Sequence, residues 1–242
     1  DMMKLFVIYE RYYDFSKGER LVGGIQTYLS KLMPLFQARG VECYVYQAGD
    51  QKNVIDLDDV HVYSVPVGGA SESRDSVQTI YNEVRKLLDI EKDILLFGTD
   101  CFMCKNDAKR SIAIQHGITW DRPQHVNYSD NLNALYAFRK AINTYQVVKR
   151  LNYVNRIVCV DYNFINWYRA SIAHETIKYN VIPNFTPIAP KMDKGEKVRI
   201  IFARRFEQYR GTRVFANAAK RILTEYPDIE ITIAGRGPDK EY

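Results

Sequence analysis

The runs DILLFG (93–98) and SIAIQHG (111–117) are apolar at almost every position. A strand of that kind has to be covered on both faces, which is the condition of a parallel sheet packed between helices. No other part of the chain constrains the fold as tightly. KLFVIY (4–9), VECYVYQA (41–48), VHVYSVPV (60–67) and RIVCV (156–160) are further strand candidates, with TIKYNVIPN (176–184) as a last extended piece. Segments of helical period lie between them. GIQTYLSKLMPLFQARG (24–40) puts Ile25, Leu29, Leu32, Met33 and Phe36 on one face, with Gly40 as the stop. Pro34 opposes a straight helix there, so one bent helix is expected. DSVQTIYNEVRKLL (75–88) sets Val77, Ile80, Tyr81, Val84 and Leu88 at helical spacing. A longer helix is expected from about Asn131 to Leu151, and a short one over NFINWYRAS (163–171). The repeat of strand and helix predicts a doubly wound α/β fold.

The composition shifts at PNFTPIAPKMDKGEK (183–197), where three prolines and a charged finish mark a connection. The pattern restarts with the strand VRIIFA (198–203), the helix TRVFANAAKRILTEY (212–226) and the strand IEITIAG (229–235). The expected organisation is therefore a Rossmann-like domain over 1–183, a linker over 184–197, and a partial second domain over 198–242. A β-α-β piece of that length buries little surface by itself.

No stretch reaches the run of about 18 apolar residues that a membrane span needs. The opening DMMKLFVIYE reads as a short leader running into a strand, without the succession of a signal peptide. A formal charge of +5, from 34 Lys and Arg against 29 Asp and Glu, suits an anionic substrate without identifying a nucleic-acid binder. The basic residues form no stripe, and nucleic acid is not expected as a partner. Cys43 and Cys159 lie in strand-like runs, as buried thiols of a reducing, cytoplasmic compartment would. CFMC (101–104) has the spacing of half a zinc site and no second pair, so no metal is expected.

The chemistry gathers in loops. Gly23-Gly24 immediately precede a helix, where exposed N–H groups attract anions and glycine permits close approach; a plain turn accounts for them equally. His116 follows a strand at the edge where open α/β sheets bind ligands. It is either a proton-exchanging or hydrogen-bonding group or a buried histidine satisfying a carbonyl. His61 opens a strand and reads as structural, while His125 lies in the polar part of ITWDRPQHVNY (118–128) and His174 has no metal-ligand spacing. FARRFEQYRG (202–211) puts Arg204 and Arg205 after a strand and Arg210 before a helix, an arrangement suited to a diphosphate or to a solvated loop. AGRGPDK (234–240) repeats it, with Gly235 and Gly237 after the next strand.

Taken in order, these segments resemble the retaining, nucleotide-sugar-dependent glycosyltransferases of the family-four type. GGIQTYLSKLMPLFQARGVECYV is similar to that family's glycine loop and first helix, QHG to its histidine segment, and VIPNF to the end of its first domain. FARRFEQYRGTRVFANAAKRILTEYPDIEITIAGRGP is similar to the opening of its donor domain. The resemblance implies the GT-B fold, two Rossmann-like domains facing across a cleft. It implies transfer of a sugar from a nucleotide diphosphate donor to an acceptor hydroxyl with retention of configuration. The implied catalytic residues are His116, Arg205 and Arg210. The implied donor-binding residues are Gly23, Gly24, Arg205, Arg210, Gly235 and Gly237. No metal or other cofactor is implied. The implied partners are a nucleotide sugar and a saccharide or lipid-linked acceptor, the latter at the inner face of a membrane. Arg210 stands where the family has lysine, Arg204 where it has glycine, and Phe185 where it often has glycine. The family's Glu-x7-Glu element would lie beyond residue 242, which marks the chain as a piece of a longer enzyme. A non-catalytic Rossmann-like fragment and a dinucleotide-binding oxidoreductase are the alternatives, the latter without its fingerprint motif.

Overall fold

The computed structural model describes residues 2–68, 74–118, 134–171, 176–186, 188, 190, 195 and 197–242. The chain divides into two compact units, Asp1–Phe185 and Thr186–Tyr242.

The larger unit is built on an eight-stranded sheet. Its strands are β1 (Lys4–Ile8), β4 (Glu42–Gly49), β5 (Asn53–Leu57), β6 (Val60–Pro66), β7 (Ile94–Phe97), β8 (Ser111–Gln115), β9 (Arg156–Cys159) and β10 (Tyr179–Val181), in the spatial order β10-β9-β8-β7-β1-β4-β6-β5. All neighbours pair in parallel except β5, which closes one edge antiparallel to β6. The chain leaves β1 toward β4 and later returns to β7 on the other side. The switch point of the sheet therefore lies between β1 and β7.

Alternation along the strands divides the interior into two layers. Leu5 and Val7 of β1 join Cys43 and Val45 of β4 under α1 (Gly24–Gln37), which contributes Leu29 and Met33. Phe6 and Ile8, with Tyr46 and Ala48, face the opposite side. There they meet Val77, Ile80, Tyr81, Val84 and Leu88, the apolar positions of α2 (Arg74–Val84) and the turn after it. α3 (Ala134–Leu151) and α4 (Asn163–Ser171) join this second layer through Leu151, Phe164, Ile165 and Tyr168. Both faces of the sheet are thus covered, as the continuous apolar strands require. Pro34 lies inside α1 at an exposed position, where the helix gives up the hydrogen bond that an N–H there would make to the Ser30 carbonyl.

Two features have no counterpart in the sequence reading. One is β5. The other is a small hairpin, β2 (Tyr13–Asp14) with β3 (Glu19–Arg20), set between β1 and α1. Gln47, 3% exposed, anchors the hairpin. Its Oε1 accepts the N–H groups of Tyr12 and Tyr13, both at 2.8 Å, and its Nε2 donates to the Tyr13 carbonyl at 2.9 Å.

The smaller unit pairs β11 (Arg199–Ala203) in parallel with β12 (Glu230–Ala234). Between them runs α5 (Thr212–Glu225), whose Phe215 stacks on Phe202 at 4.4 Å.

Replacing Gln47 with Leu keeps the volume and strips three buried backbone groups of their partner. The expected loss is at least about 2 kcal/mol. Amide hydrogen exchange checks this, with residues 12–20 losing protection before the sheet does.

Candidate functional site

In the larger unit the carboxyl ends of β1, β7 and β8 bring three sequence elements together. Gly23 is the N-cap of α1 in extended conformation, no side chain caps the helix, and a Cβ on Gly24 would meet nothing within 4 Å. The first N–H groups of α1 are therefore open to a ligand, with the positive end of the helix dipole behind them. One turn into α1, Tyr28 meets the His116 ring edge-on at 5.3 Å, and Phe185 packs on Tyr28 at 5.9 Å. His116 Nε2 lies 2.9 Å from the carbonyl oxygen of Gly98, just beyond β7. A carbonyl only accepts, so Nε2 carries the proton and Nδ1 of the neutral ring is an acceptor. Burial lowers the His116 pKa, with the Gly98 bond opposing it, so the ring is neutral at pH 7. Gly98 sits close under its neighbours: a Cβ there would lie 3.1 Å from both Leu29 Cδ1 and Tyr9 Cδ2, and those side chains would have to give way.

Asp100 is the residue that sequence reading missed. It follows β7 by three positions, is 4% exposed, and donates its backbone N–H to the Ile114 carbonyl at 2.9 Å. Thr99 Oγ1 donates to its Oδ1 at 3.4 Å, while Oδ2 finds no partner among the described residues. Burial pushes its carboxyl up to about 7; its own N–H, the charge of Arg150, Thr99 and Cys101 offset this only in part. The same burial, with Asp100 and Asp161 nearby, pushes the Cys159 thiol up to about 12. The signal in the sequence was a lone acid directly after an apolar strand, and nothing there showed that it is buried.

In the smaller unit the two glycine-and-arginine loops are joined to each other. Arg204 N–H donates to the Ala234 carbonyl at 3.1 Å, Phe206 N–H to Arg236 at 2.9 Å, and Asp239 N–H to Phe206 at 3.1 Å. A Cβ on Gly235 would overlap the carbonyl oxygen of Arg204, and one on Gly237 the backbone of Phe206. Both glycines are thus required by the approach of one loop to the other. Arg205 is exposed, and its charge, with that of Arg210, acts on the Glu207 carboxylate. Arg210 is half-buried, with Nε 3.1 Å from the Tyr209 hydroxyl and 3.3 Å from Glu207 Oε2. The Tyr209 hydroxyl and then Arg210 hold the Glu207 carboxyl below its usual range. Arg204 donates to the Arg210 carbonyl at 3.4 Å. Gly211, at φ +81°, ends the 3-10 turn Gln208–Arg210 and starts α5, which has no side-chain cap and no acid in its first turn.

His61, on β6 between β4 and β5, lies 2.5 Å from Asp56, and its ring is tilted against that of Tyr44 at 4.9 Å. Cys104 is buried in the second core layer and Cys101 is exposed. No group of three His, Cys, Asp or Glu among the described residues is placed to hold a metal. No described helix is long and apolar enough to cross a membrane. His125, His174, nearly all of the aromatic loop 118–128 and part of the linker lie outside the described residues.

No protein-family model matches the chain, and no curated protein sequence gives a significant match. Solved structures do match. A mutant of S. aureus TarM, in complex with Fondaparinux, alpha-GlcNAc-glycerol and UDP, aligns with 99% of this chain and 73% of its own, at TM-score 0.63 and 9% identity. The alpha,alpha-trehalose 6-phosphate synthase of Burkholderia multivorans aligns with 97% of this chain at TM-score 0.59 and 12% identity. The chain spans 64% of that synthase's length. At such identities the likeness carries the fold: α/β, GT-B-like, with a Rossmann-like first unit and the β-α-β of a second.

The Asp100 carboxyl titrates near 4 when unfolded and at about 7 when folded. The folded state therefore holds the extra proton between those values, and stability falls as pH rises through that window. Asp100→Asn removes the charge. Its melting temperature relative to the parent is expected to rise between pH 5 and pH 8, by about 2 °C or more. Thermal unfolding at the two pH values checks this.

Proposed function

We propose that the chain is the acceptor-side domain and first donor-side β-α-β of a glycosyltransferase of the GT-B type. It would act on a nucleotide diphosphate sugar and transfer the sugar to an acceptor hydroxyl with retention. One observation carries this reading. The smaller unit offers Arg205, an oriented Arg210 and the uncapped start of α5 together, in a chain that aligns almost throughout with a protein solved with UDP. A diphosphate is the ligand such a cluster suits: charge-assisted donors beside a helix N-terminus.

In the transfer, the bond from the sugar's anomeric carbon to the diphosphate breaks and its electron pair leaves on the phosphate oxygen. The acceptor oxygen bonds to that carbon, and its proton goes to the phosphate. Arg205, Arg210 and the first N–H groups of α5 stabilise the charge that grows on the leaving group. Arg210 is held by Tyr209 and Glu207 before any ligand arrives, so its orientation costs little at the moment of reaction. His116, neutral and proton-bearing at Nε2, offers Nδ1 as the acceptor for a sugar hydroxyl. The proposed direct roles fall to His116, Gly23 and Gly24 in the larger unit and to Arg205 and Arg210 in the smaller, where Gly235 and Gly237 set the loop against which Arg205 lies.

A dinucleotide-binding oxidoreductase is disfavoured by the connection after β1. That fold holds its pyrophosphate on a tight strand-to-helix turn, whereas here the hairpin of β2 and β3 intervenes before Gly24.

Calorimetric titration with UDP tests the proposal. Arg205→Ala is expected to weaken UDP binding about tenfold. His116→Phe should leave UDP affinity within about twofold and weaken only the intact sugar nucleotide, since its partner is the sugar. UDP binding that ignores Arg205, or no binding by the chain, would overturn it.

A further inference from the structure

The carboxyl edge of β4 and β6 carries a cavity of about 630 Å³, inside the usual range for ligand sites. The β1–α1 connection forms one wall, through Arg11, Asp14 and Phe15, and the β4–β5 connection forms another, through Asp50, Gln51 and Asn53. The side chains of Arg11, Asp50, Gln51 and Asn53 make no hydrogen bond among the described residues. Four polar side chains with no protein partner among the described residues, three of them exposed, thus border one space.

Their chemistry selects the occupant. Among the lining residues two carboxylates, Asp14 and Asp50, stand against one cation, Arg11, with Lys17 acting on Asp14 from outside the lining, a balance that does not favour a multiply charged anion. The amides of Gln51 and Asn53 each donate and accept, as hydroxyl groups do, and Phe15 supplies an apolar face. The position is informative as well. Arg11 lines the cavity while its carbonyl accepts from Gln26 Nε2 at 2.9 Å, two residues beyond Gly24. The cavity is therefore tied to the open start of α1. Three strand spacings separate β4 from β8, the strand that ends at His116, which is about 14 Å.

We propose that this cavity binds the acceptor, a neutral oligosaccharide whose far residues lie here while its reacting end extends along the sheet edge toward His116. The assignment rests on the glycosyl-transfer reading and names the acceptor class within it. The distance calls for several linked sugars, and the polar walls disfavour a lipid tail.

The test is titration of the chain, by saturation-transfer NMR, with maltotriose, cellotriose, chitotriose and xylotriose, with Fondaparinux as the sulfated control. At least one neutral trisaccharide should bind, and the double variant Asp50→Ala/Asn53→Ala should weaken it about tenfold while leaving UDP affinity within about twofold. Preference for Fondaparinux, neutral binding untouched by the double variant, or no neutral binding would each overturn the proposal. UDP titration separates the two readings. UDP binding without saccharide binding removes this cavity's role and spares the donor site, and saccharide binding without UDP binding does the reverse.

Discussion

The parallel pairing of β1 with β4 on one side and β7 on the other governs the larger unit. Parallel strands cannot be joined by tight hairpins, so their connections are longer, and every parallel strand delivers its following loop to the same edge. The Gly23-Gly24 loop, Gly98 and His116 meet there because β1, β7 and β8 are consecutive neighbours in the sheet. Their distance in sequence is irrelevant to that. The switch between β1 and β7 also opens the crevice into which such sheets take ligands. The hydrogen bond from His116 to the Gly98 carbonyl spans the ends of β8 and β7, so the imidazole is oriented by the sheet itself.

What could be read from the sequence follows from which interactions are local. The strands of the sheet interior are legible because burial on both faces leaves almost no polar residue in them. α2 is legible for the same reason, and its five expected core positions are all buried. β5 is not, because NVIDL alternates exposed and half-buried residues over a short edge strand. The hairpin of β2 and β3 is not either. Two-residue strands have no pattern of their own, and this pair is held by the side chain of Gln47, more than thirty residues away. An apolar strand reveals its burial, whereas one polar residue that completes a distant backbone gives no sign of it.

The candidate site divides along the same line. Glycines and arginines around strand ends stand out as residue types, and each of them lies in a loop at the carboxyl end of a strand. Their reasons do not stand out. Gly235 and Gly237 look like glycines that admit a ligand, yet the space each leaves is filled by the backbone of Arg204 or Phe206. Asp100 does not stand out in the sequence because an acid after a strand is ordinarily solvated, and only the packed structure shows a buried carboxyl whose Oδ2 has no partner among the described residues. Charge pattern counted Arg204, Arg205 and Arg210 as equivalent, while the structure gives each a different environment.

That difference bears on how an arginine at position 210 could serve the proposed diphosphate site. Lysine is a compact point charge on a mobile stem, and it needs little orientation to meet a phosphate. A guanidinium is a planar fork, useful to a diphosphate only when its plane is set. Glu207 lies three residues before Arg210, and Tyr209 stacks its ring within 5.2 Å of the guanidinium while its hydroxyl meets Nε. These contacts occupy one edge of the fork and leave its terminal nitrogens for a ligand. The carboxylate of Glu207 offsets part of the charge, and the exposed Arg205, whose charge also acts on Glu207, adds a second cation nearby. In the proposed donor site Arg210 would supply orientation and Arg205 a more mobile charge, and the E-x-Y-R spacing of residues 207–210 is the local sequence that holds Arg210 in place.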